Sequence, residues 1–477
     1  MSDRTKTAVL VVHGIGQQMP MDTLRSFVMT TFRDEADPSR TQILNRMDRY
    51  SSFLDLRTLV IPAHGARGKV DFYELYWAPT LSGGSAAAVL LWALKTLVSR
   101  PRGRQMKQIL LTMRLAIVVS LLVSAALYYL VRDAEWLRLF VPLLPLVLVL
   151  KPVVRGIGTS VLTETLADAS RWFAPSPKDI PERDRIRRLG LDLLAALHGK
   201  DEDGKQKYGR IVVVGHSLGS VIAYDIIRLA YDQLRQPDSA ASTGDPASDQ
   251  PAAWHFDFQS RDITNESRLS EYQHFQRQLH AEQRSMGVPW LVTDLITLGS
   301  PITHAHDLWT SKTADFATRR AENEYPSCPP IGEFQHSECR RARRGRAAIV
   351  GADSPIAFYR TREEGPLIAH EASPFASTRW TNLYFPMTWW LAGDPVGGPL
   401  RDVVGPGVRD LPVQLSTRSR RRSLLPVVAH TWYWRRDPKL PRKEAKADDG
   451  HRDAVLRLKQ VIDLDPGGIK PFDRKDE

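Results

Sequence analysis

Residues 211–230 place a serine between two glycines, directly after a strand pattern and directly before a helix pattern. Residues 211–214 are Ile-Val-Val-Val, a β-branched run typical of a central strand in a parallel sheet. From Val221 onward, apolar residues recur at helical spacing. The pattern Gly-x-Ser-x-Gly between a strand and a helix is typical of a nucleophile elbow, a sharp turn that exposes a serine hydroxyl. We therefore predict an α/β fold in which Ser217 is a nucleophile.

The residues next to Ser217 suit this turn. Gly215 and Gly219 lack the Cβ atoms that would collide where a strand and a helix pack closely, and His216 directly precedes the serine. The helix that follows points its positive end at the hydroxyl. The two glycines and the serine of this motif can occur together by chance, so the prediction depends on the flanking strand and helix. The alternative is a tight turn with a purely structural role.

A second glycine turn, near the N-terminus, supplies candidates for an oxyanion hole. An acyl-transfer site needs backbone N–H donors aimed at the substrate oxygen. Leu218, directly after the nucleophile, should supply one donor, and a loop after an earlier strand should supply the other. Residues 7–12 form such a strand pattern and end at His13-Gly14, so we expect the second donor to be the N–H of Ile15, with Gly16 next to it. An ordinary glycine turn is the alternative.

Strand and helix patterns alternate along the chain. Strand patterns cover residues 7–12, 70–77, 211–214, 290–298 and 380–385, and apolar residues at helical spacing occur over 162–173 and 186–197. This alternation predicts a doubly wound, mostly parallel sheet flanked by helices. The polar stretches 236–252 and 319–346 are expected to be loops.

Three apolar segments interrupt the alternation between residues 85 and 155. Residues 115–131 and 137–154 would rise about 25 Å and about 27 Å as helices, which nearly crosses a hydrocarbon core of about 30 Å. We predict that they form a transmembrane hairpin. Residues 85–98 are fewer and contain Lys95, so an interfacial helix is expected there. The alternative is a buried bundle or a lid over the active site.

Charged residues around the hairpin predict its orientation. Lys and Arg lie on both outer flanks, whereas the connection at residues 132–135 is nearly neutral. By the positive-inside rule, both flanks stay cytoplasmic. His13 and Ser217 must also meet in one site, so the chain can cross the bilayer only an even number of times between them. We therefore expect a two-span membrane protein whose catalytic domain faces the anionic cytoplasmic leaflet.

The overall charge and the cysteines narrow the set of partners. The formal net charge of +11 suits an anionic partner such as lipid headgroups or nucleic acid. No nucleic-acid motif accompanies the basic clusters at 340–346 and 417–422, so no nucleic-acid partner is expected. Cys328, His336 and Cys339 lack a fourth ligand at a usual zinc spacing, so we expect neither a metal nor another cofactor.

Seven motifs resemble the α/β-hydrolase superfamily, and more narrowly its membrane-linked serine esterase and lipase-like branch. They are HGIGQQ at 13–18, YWAP at 76–79, GHSLGSVIAYD at 215–225, LGSPIT at 298–303, WTNLYFP at 380–386, GDPVGGPL at 393–400 and AHTWYW at 429–434. The motifs lie on both sides of the apolar insert and not within it. The resemblance implies a hydrolase fold whose triad follows the chain order serine, acid, histidine.

This resemblance assigns the other two triad residues. Asp394, in the GDPVGG motif, matches the acid, and His430, in the AHTWYW motif, matches the base. Asp353 is a rival acid. Other histidines lack a strand pattern directly before them and suit the base less well: His304, His370 and His451.

These expectations divide the chain into four parts. Residues 1–80 begin the hydrolase domain, 81–158 form the membrane insert, 159–434 complete the domain, and 435–477 form a charged tail with one short helix near 454–462. The resemblance implies hydrolysis of a carboxylic ester, of a lipid or another acyl group, through an acyl-serine intermediate. Two other classes stay open: a non-catalytic membrane scaffold on a hydrolase fold, and a soluble thioesterase or peptidase with an apolar lid.

Overall fold

A mixed, mostly parallel sheet of eight strands, flanked by helices, forms the centre of the structure, which is a computed structural model. The structure describes residues 6–15, 19–32, 42–51, 53–64, 68–80, 99–130, 169, 171–173, 175–236, 263–309, 315–331, 358–360, 367–387, 393–413, 429–434 and 449–462. The α/β class expected from the alternating patterns is therefore confirmed.

The strands are β1 (Thr7–Val12), β2 (Leu44–Met47), β3 (Arg57–Ile61), β4 (Val70–Leu75), β5 (Arg210–His216), β6 (Val292–Leu298), β7 (Phe358–Arg360), β8 (Leu367–Ala369), β9 (Arg379–Tyr384) and β10 (Arg409–Pro412). The large sheet has the order β10-β9-β6-β5-β1-β4-β3-β2. Neighbours from β10 to β4 pair in parallel, whereas β3 and β2 are added antiparallel at one edge. Strands β7 and β8 form a separate antiparallel pair.

The helices described are α1 (Asp22–Phe32), α2 (Arg104–Leu130), α3 (Ile180–His198), α4 (Leu218–Leu234), α5 (Glu266–Ser285), α6 (Ala305–Leu308), α7 (Phe316–Ala321), α8 (Arg401–Val404) and α9 (Asp449–Ile462). Each of the five predicted strands is present with ends within two residues of the prediction, and the helical pattern at 186–197 lies within α3. The edge strands β2 and β10 were not predicted, because their sequences, LNRM and RDLP, show no apolar run or alternation.

Both faces of the central strands β1 and β5 are buried, which explains why these strands are apolar along nearly their whole length. In β1, Ala8, Leu10 and Val12 face one core, and Val9 and Val11 face the other. Helices α3 and α4 cover the first face, and α1 and α9 cover the second. The layers therefore hold β1 and β5 rigidly at the centre of the domain.

Helix α9 changes the interpretation of the C-terminal tail. Ala454, Leu458 and Ile462 are fully buried in the second core, and Arg210 donates a hydrogen bond to the carbonyl of Ile462. The short helix expected near 454–462 is present and begins earlier, at Asp449. Its four-residue spacing of apolar residues makes it part of the α/β unit and not of a separate tail.

The loop prediction for residues 319–346 is wrong at its start. Helix α7 covers the first residues of this stretch, and Tyr325 and Cys328 are buried in the first core. Charged side chains dominate this stretch and conceal the few apolar residues that anchor it. Nearly all of the loop predicted at 236–252 lies outside the described residues.

Helix α2 differs from the predicted membrane segment at residues 115–131. It begins at Arg104 and runs for 27 residues, about 40 Å. Met106 and Leu110 are buried in the first core of the α/β domain and Ile109 is also buried, whereas most large apolar side chains from Leu111 to Leu130 are exposed. In the described part of the chain, α2 is the one helix long and apolar enough to cross a membrane. The segments predicted at 85–98 and 137–154 lie outside the described residues.

Glu74, on β4, is a carboxylic acid buried in the central sheet. Its Oε2 accepts a hydrogen bond of 2.8 Å from the N–H of Met21. Among the described residues, Oε1 has no hydrogen-bond partner. Burial raises the pKa of Glu74 to about 7, against the smaller opposing effect of the Met21 hydrogen bond.

We expect Glu74→Gln to stabilise the fold at alkaline pH. Between the ordinary pKa of 4.5 and about 7, the unfolded chain ionises before the folded protein does, so the free energy of unfolding falls as the pH rises. This shift corresponds to about 3 kcal/mol above pH 7. The variant should therefore melt several degrees above wild type at pH 9 and much closer to it at pH 5. The exposed control Glu271→Gln should change the melting temperature by the same amount at pH 5 and pH 9. If Glu74→Gln also raised the melting temperature equally at both pH values, the raised pKa of Glu74 would be contradicted.

Candidate active site

Four neighbouring parallel strands, β1, β5, β6 and β9, have their carboxyl ends side by side. Val12 of β1 pairs with Gly215 of β5, and Leu298 of β6 pairs with both His216 and Leu383. The loops after these strands therefore start at the same level. In open parallel sheets, ligands bind outside the carboxyl ends of the strands.

Ser217 occupies the turn between β5 and α4. Its φ is 54° and its ψ is −131°, a conformation that costs energy for a residue with a side chain. The backbone N–H of Ser217 donates to the carbonyl of Leu298 at 2.9 Å, which fastens the turn to the neighbouring strand. The serine is 2% exposed. Strain held in place by flanking elements is characteristic of functional turns.

Glycines allow the first loop to approach this turn. A Cβ atom at Gly14 would lie 2.8 Å from the Cβ of Ser217, and one at Gly219 would collide with the carbonyls of Val12 and His13. Gly215 lies in the same crowded region, where a Cβ would meet the backbone of Ser220. The supporting glycines predicted from the sequence thus lie where strand, loop and helix meet.

His13 is held as a neutral imidazole under this turn. Nδ1–H donates to the carbonyl of Gly14 at 2.8 Å, and Nε2 accepts from the backbone N–H of Trp77 at 3.2 Å. The imidazole stacks on the indole of Trp77, whose Nε1–H donates to the carbonyl of His13. Burial lowers the pKa of His13 to about 4. His13 therefore shapes the loop and does not serve as a base.

His430 and Asp394 form a buried, hydrogen-bonded pair. Nδ1 of His430 lies 2.9 Å from Oδ2 and 3.0 Å from Oδ1 of Asp394, and both residues are fully buried. His430 lies in a short 3₁₀ turn, Ala429–Thr431, and the preceding residues 421–428 lie outside the described part. With its proton on Nδ1, His430 keeps the lone pair of Nε2 available.

The carboxylate of Asp394 is surrounded by donors. Oδ1 accepts from the N–H groups of Val396 at 2.9 Å and Gly397 at 3.0 Å, and Oδ2 accepts from the hydroxyl of Tyr433 at 2.8 Å. Burial alone would raise the pKa of Asp394, but the neighbouring His430 and these hydrogen bonds hold it below its ordinary value. Burial raises the pKa of the Tyr433 hydroxyl, so that group stays protonated and donates. Asp394 is therefore an ionised carboxylate that orients His430.

Several contacts bring the histidine next to the serine turn. His216 Nε2 donates to the backbone carbonyl of His430 at 2.9 Å, and the two imidazoles stack with centroids 5.0 Å apart. A Cβ atom at Gly299, the residue after Leu298, would lie 3.0 Å from His430 Nδ1. Since Ser217 follows His216 and its N–H bonds to Leu298, these contacts place His430 beside the serine turn.

The hydroxyl and the imidazole do not form a hydrogen bond in this structure. Ser217 Oγ and His430 Nε2 are both buried, and neither has a partner within the described part of the chain. Buried polar atoms without partners are rare and call for an explanation. Catalytic hydrogen bonds are often long before substrate binds, and they tighten in the reacting complex.

The predicted oxyanion donors are described in part. Leu218 is the first residue of α4, so its N–H has no acceptor within the helix. Ile15 follows Gly14, which packs on Ser217, and it is half-buried. Gly16 lies outside the described residues. The N–H of Leu218, at the start of α4 and next to Ser217, is therefore a candidate donor for a developing negative charge.

The structure also places the rival residues. His304 Nε2 donates to the carbonyl of Pro395, and burial lowers the pKa of its imidazole, which suits a role in supporting the acid loop. His370 accepts from the N–H of Ala372 in a turn. His451 lies in α9, and Asp353 lies outside the described residues. Tyr433 is a site residue that the sequence analysis missed, because no local pattern reveals which way its hydroxyl points.

The cysteines and basic clusters contribute little to the described site. Cys328 is buried, and burial raises the pKa of its thiol to about 12. His336, Cys339 and the clusters at 340–346 and 417–422 lie outside the described residues. Within the described part, no group of three His, Cys, Asp or Glu side chains could hold a metal ion.

Comparisons of this chain with protein-family models, with curated proteins and with solved structures found no match.

Proposed function

We propose that this protein is a membrane-associated serine hydrolase that cleaves carboxylic esters, of lipids or other acyl groups, on an α/β-hydrolase fold. One observation carries the proposal: the turn that holds a strained, buried Ser217 at the end of β5 adjoins a hydrogen-bonded His430–Asp394 pair. The order serine, acid, histidine along the chain is that of α/β-hydrolases.

The reaction divides into two steps. His430 Nε2 accepts the proton of Ser217 as Oγ forms a bond to the acyl carbon, and the N–H of Leu218 stabilises the oxyanion. The alcohol leaves with the proton from His430, which produces an acyl-serine. A water molecule, deprotonated by His430, then bonds to the acyl carbon. The bond from this carbon to Oγ breaks, the acid is released, and His430 returns the proton to Ser217.

Asp394 supports both steps without changing its own charge. Its carboxylate keeps the proton of His430 on Nδ1 and stabilises the imidazolium that forms. Tyr433 and the N–H groups of Val396 and Gly397 fix the carboxylate in turn. This mechanism requires neither a metal nor an organic cofactor.

Helix α2 supports the proposed association with a membrane. Its exposed apolar residues after Leu111 suit a hydrocarbon environment, and we propose that residues 137–154 complete a hairpin with both ends cytoplasmic. Basic residues before the apolar part of α2, such as Arg104 and Lys107, would then meet the anionic leaflet. An ester dissolved in that leaflet is the substrate such an arrangement favours.

p-Nitrophenyl esters of graded acyl length test the activity. We expect detergent-solubilised wild-type protein to release p-nitrophenol, to prefer medium or long acyl chains, and to lose activity after treatment with a fluorophosphonate. Absence of turnover for every acyl length would favour the non-catalytic scaffold.

Extraction of membranes tests the anchoring. A spanning hairpin should keep the protein in the pellet after an alkaline carbonate wash and release it only in detergent, because apolar helices in a bilayer are not held by charge. Release into the carbonate supernatant would support the soluble enzyme with an apolar lid.

A further inference from the structure

The first turn of α2 touches the loop that carries the catalytic acid. Gln105 Nε2 lies 3.2 Å from the backbone carbonyl oxygen of Asp394 and 2.8 Å from that of Gly397. A carbonyl oxygen can only accept, so the amide nitrogen must face the loop and donate to both. The helix with the exposed apolar surface is therefore bonded directly to the backbone of the proposed triad acid.

The oxygen of the Gln105 amide also has a hydrogen-bond partner. The hydroxyl of Thr303 lies 3.3 Å from Gln105 Oε1 and 3.1 Å from the carbonyl of Pro399, so its single proton is shared between two acceptors. A side-chain Cβ at Gly398 would collide with Gln105 Oε1. Gln105 thus occupies a fitted position between the acid loop and the segment after β6.

A second contact fixes the start of α2. The carboxylate of Asp307, in α6, accepts from the backbone N–H of Arg102 at 2.6 Å and of Gly103 at 3.0 Å. A carboxylate at a helix N-terminus is stabilised by the free N–H groups and by the helix dipole. Asp307 does not touch the acid loop in these contacts, so it supports the docking of α2 alone.

Gln105 lies a short distance from the apolar part of α2. It precedes Leu115 by ten residues, which corresponds to about 15 Å along the helix. Over this distance a helix moves as a rigid rod, so a movement of its apolar part also moves Gln105. An error of about 1 Å at a catalytic group can lower a rate about a hundredfold. The seating of α2 is therefore able to affect the geometry of Asp394.

We propose that Gln105 is a positioning residue that fastens the acid loop to the membrane helix, so that Asp394 holds His430 correctly only while α2 is docked. This inference rests on the proposed serine-hydrolase function. Gln105 acts through Asp394 and takes no part in the chemistry. The sequence separation of 289 residues between Gln105 and Asp394 makes it a long-range contact between two parts of the protein.

Isosteric replacements of Gln105 test the proposal in the full-length, detergent-solubilised protein. Gln105→Met keeps the length but removes the donor, and Gln105→Glu directs a carboxylate at two carbonyl oxygens. With the best p-nitrophenyl ester, we expect kcat to fall about tenfold for Met and about a hundredfold for Glu, with KM within twofold of wild type. A side chain that merely fills space would give equal, small losses for both.

The pH dependence of Gln105→Glu provides a second readout. A protonated carboxylic acid can donate to a carbonyl, so the deficit in kcat relative to wild type at the same pH should shrink between pH 8 and pH 5.5. The matched controls Gln108→Met and Gln108→Glu change an exposed residue one turn later and should keep wild-type kcat. The proposal would be overturned if the kcat deficit of Gln105→Glu were the same at pH 8 and pH 5.5, or if the Gln108 variants lost as much kcat as the Gln105 variants.

Asp307→Ala tests the docking without touching the loop. We expect a three- to fivefold loss of kcat, and no further loss when it is combined with Gln105→Met, because the fastening is then already broken. Multiplicative losses would overturn the coupling. If wild type hydrolyses no ester, the proposed function fails together with this inference; if wild type is active and Gln105→Met retains full kcat, only the coupling fails.

Discussion

Ser217→Ala should reduce kcat for ester hydrolysis by about a millionfold and leave only the small rate that the oxyanion donor and substrate binding provide. In the proposed mechanism the hydroxyl oxygen bonds to the acyl carbon, and among the described residues Ser217 is the one serine with a positive φ. The substitution removes one buried oxygen that has no hydrogen-bond partner in the described structure, so the fold should be retained. The measurement is kcat with the best p-nitrophenyl ester, alongside the melting temperature.

Ser377→Ala is the matched control for this loss. Ser377 is also buried, but it lies just before the amino end of β9, whereas Ser217 lies at the carboxyl ends of the strands. It should keep kcat within twofold of wild type. Activity of Ser217→Ala within about a hundredfold of wild type would remove this residue from the mechanism.

Asp394→Asn should reduce kcat by about 10⁴, with a small effect on KM. The carboxylate accepts the Nδ1–H of His430, and an amide nitrogen in its place would favour the wrong tautomer of the imidazole. Since the neighbouring His430 and the surrounding donors outweigh burial and hold the pKa of Asp394 below its ordinary value, the loss should be the same throughout the neutral and alkaline range.

Asp71→Asn is the control for neutralising a buried carboxylate. Asp71 pairs with Lys6 and Lys69 near the amino end of β1, far from His430. This variant should melt at a lower temperature and keep its kcat. If Asp394→Asn retained more than a tenth of the wild-type kcat, Asp394 would be a structural turn residue and the acid would have to be sought elsewhere, with Asp353 as the next candidate.

The strand ends and the serine turn were predictable because their signals are local. Residues 211–221 contain the strand, the turn and the start of the helix without interruption, and β1 has the predicted bounds. Burial on both faces makes such central strands continuously apolar, which is an unambiguous pattern. The contact between Gly14 and Ser217 follows once these two strands are neighbours.

The acid and the base could not be derived from local patterns. Asp394 and His430 lie in loops, 36 residues apart, and neither follows a strand directly in the described structure. Only the resemblance of their motifs suggested them. The Tyr433 hydroxyl was unpredictable for the same reason, since its direction depends on the packing of residues distant in sequence.

The start of α2 was misplaced because hydropathy alone set the boundary. Arg104 and Lys107 interrupt the apolar pattern, so the segment was expected to begin at residue 115, whereas the helix continues back to Arg104. Those first turns pack on the α/β domain through Met106 and Leu110. Helix length here reflects tertiary contacts, which a hydropathy window does not detect.

Site mapping after phosphonylation tests whether Ser217 is a nucleophile that the His430–Asp394 pair activates. An alkyl fluorophosphonate should form a bond from Ser217 Oγ to phosphorus, with fluoride leaving, and mass spectrometry should locate one adduct on Ser217. The rate of labelling should fall at least a thousandfold in His430→Ala. An adduct on another residue, or equal labelling rates in wild type and His430→Ala, would contradict the account.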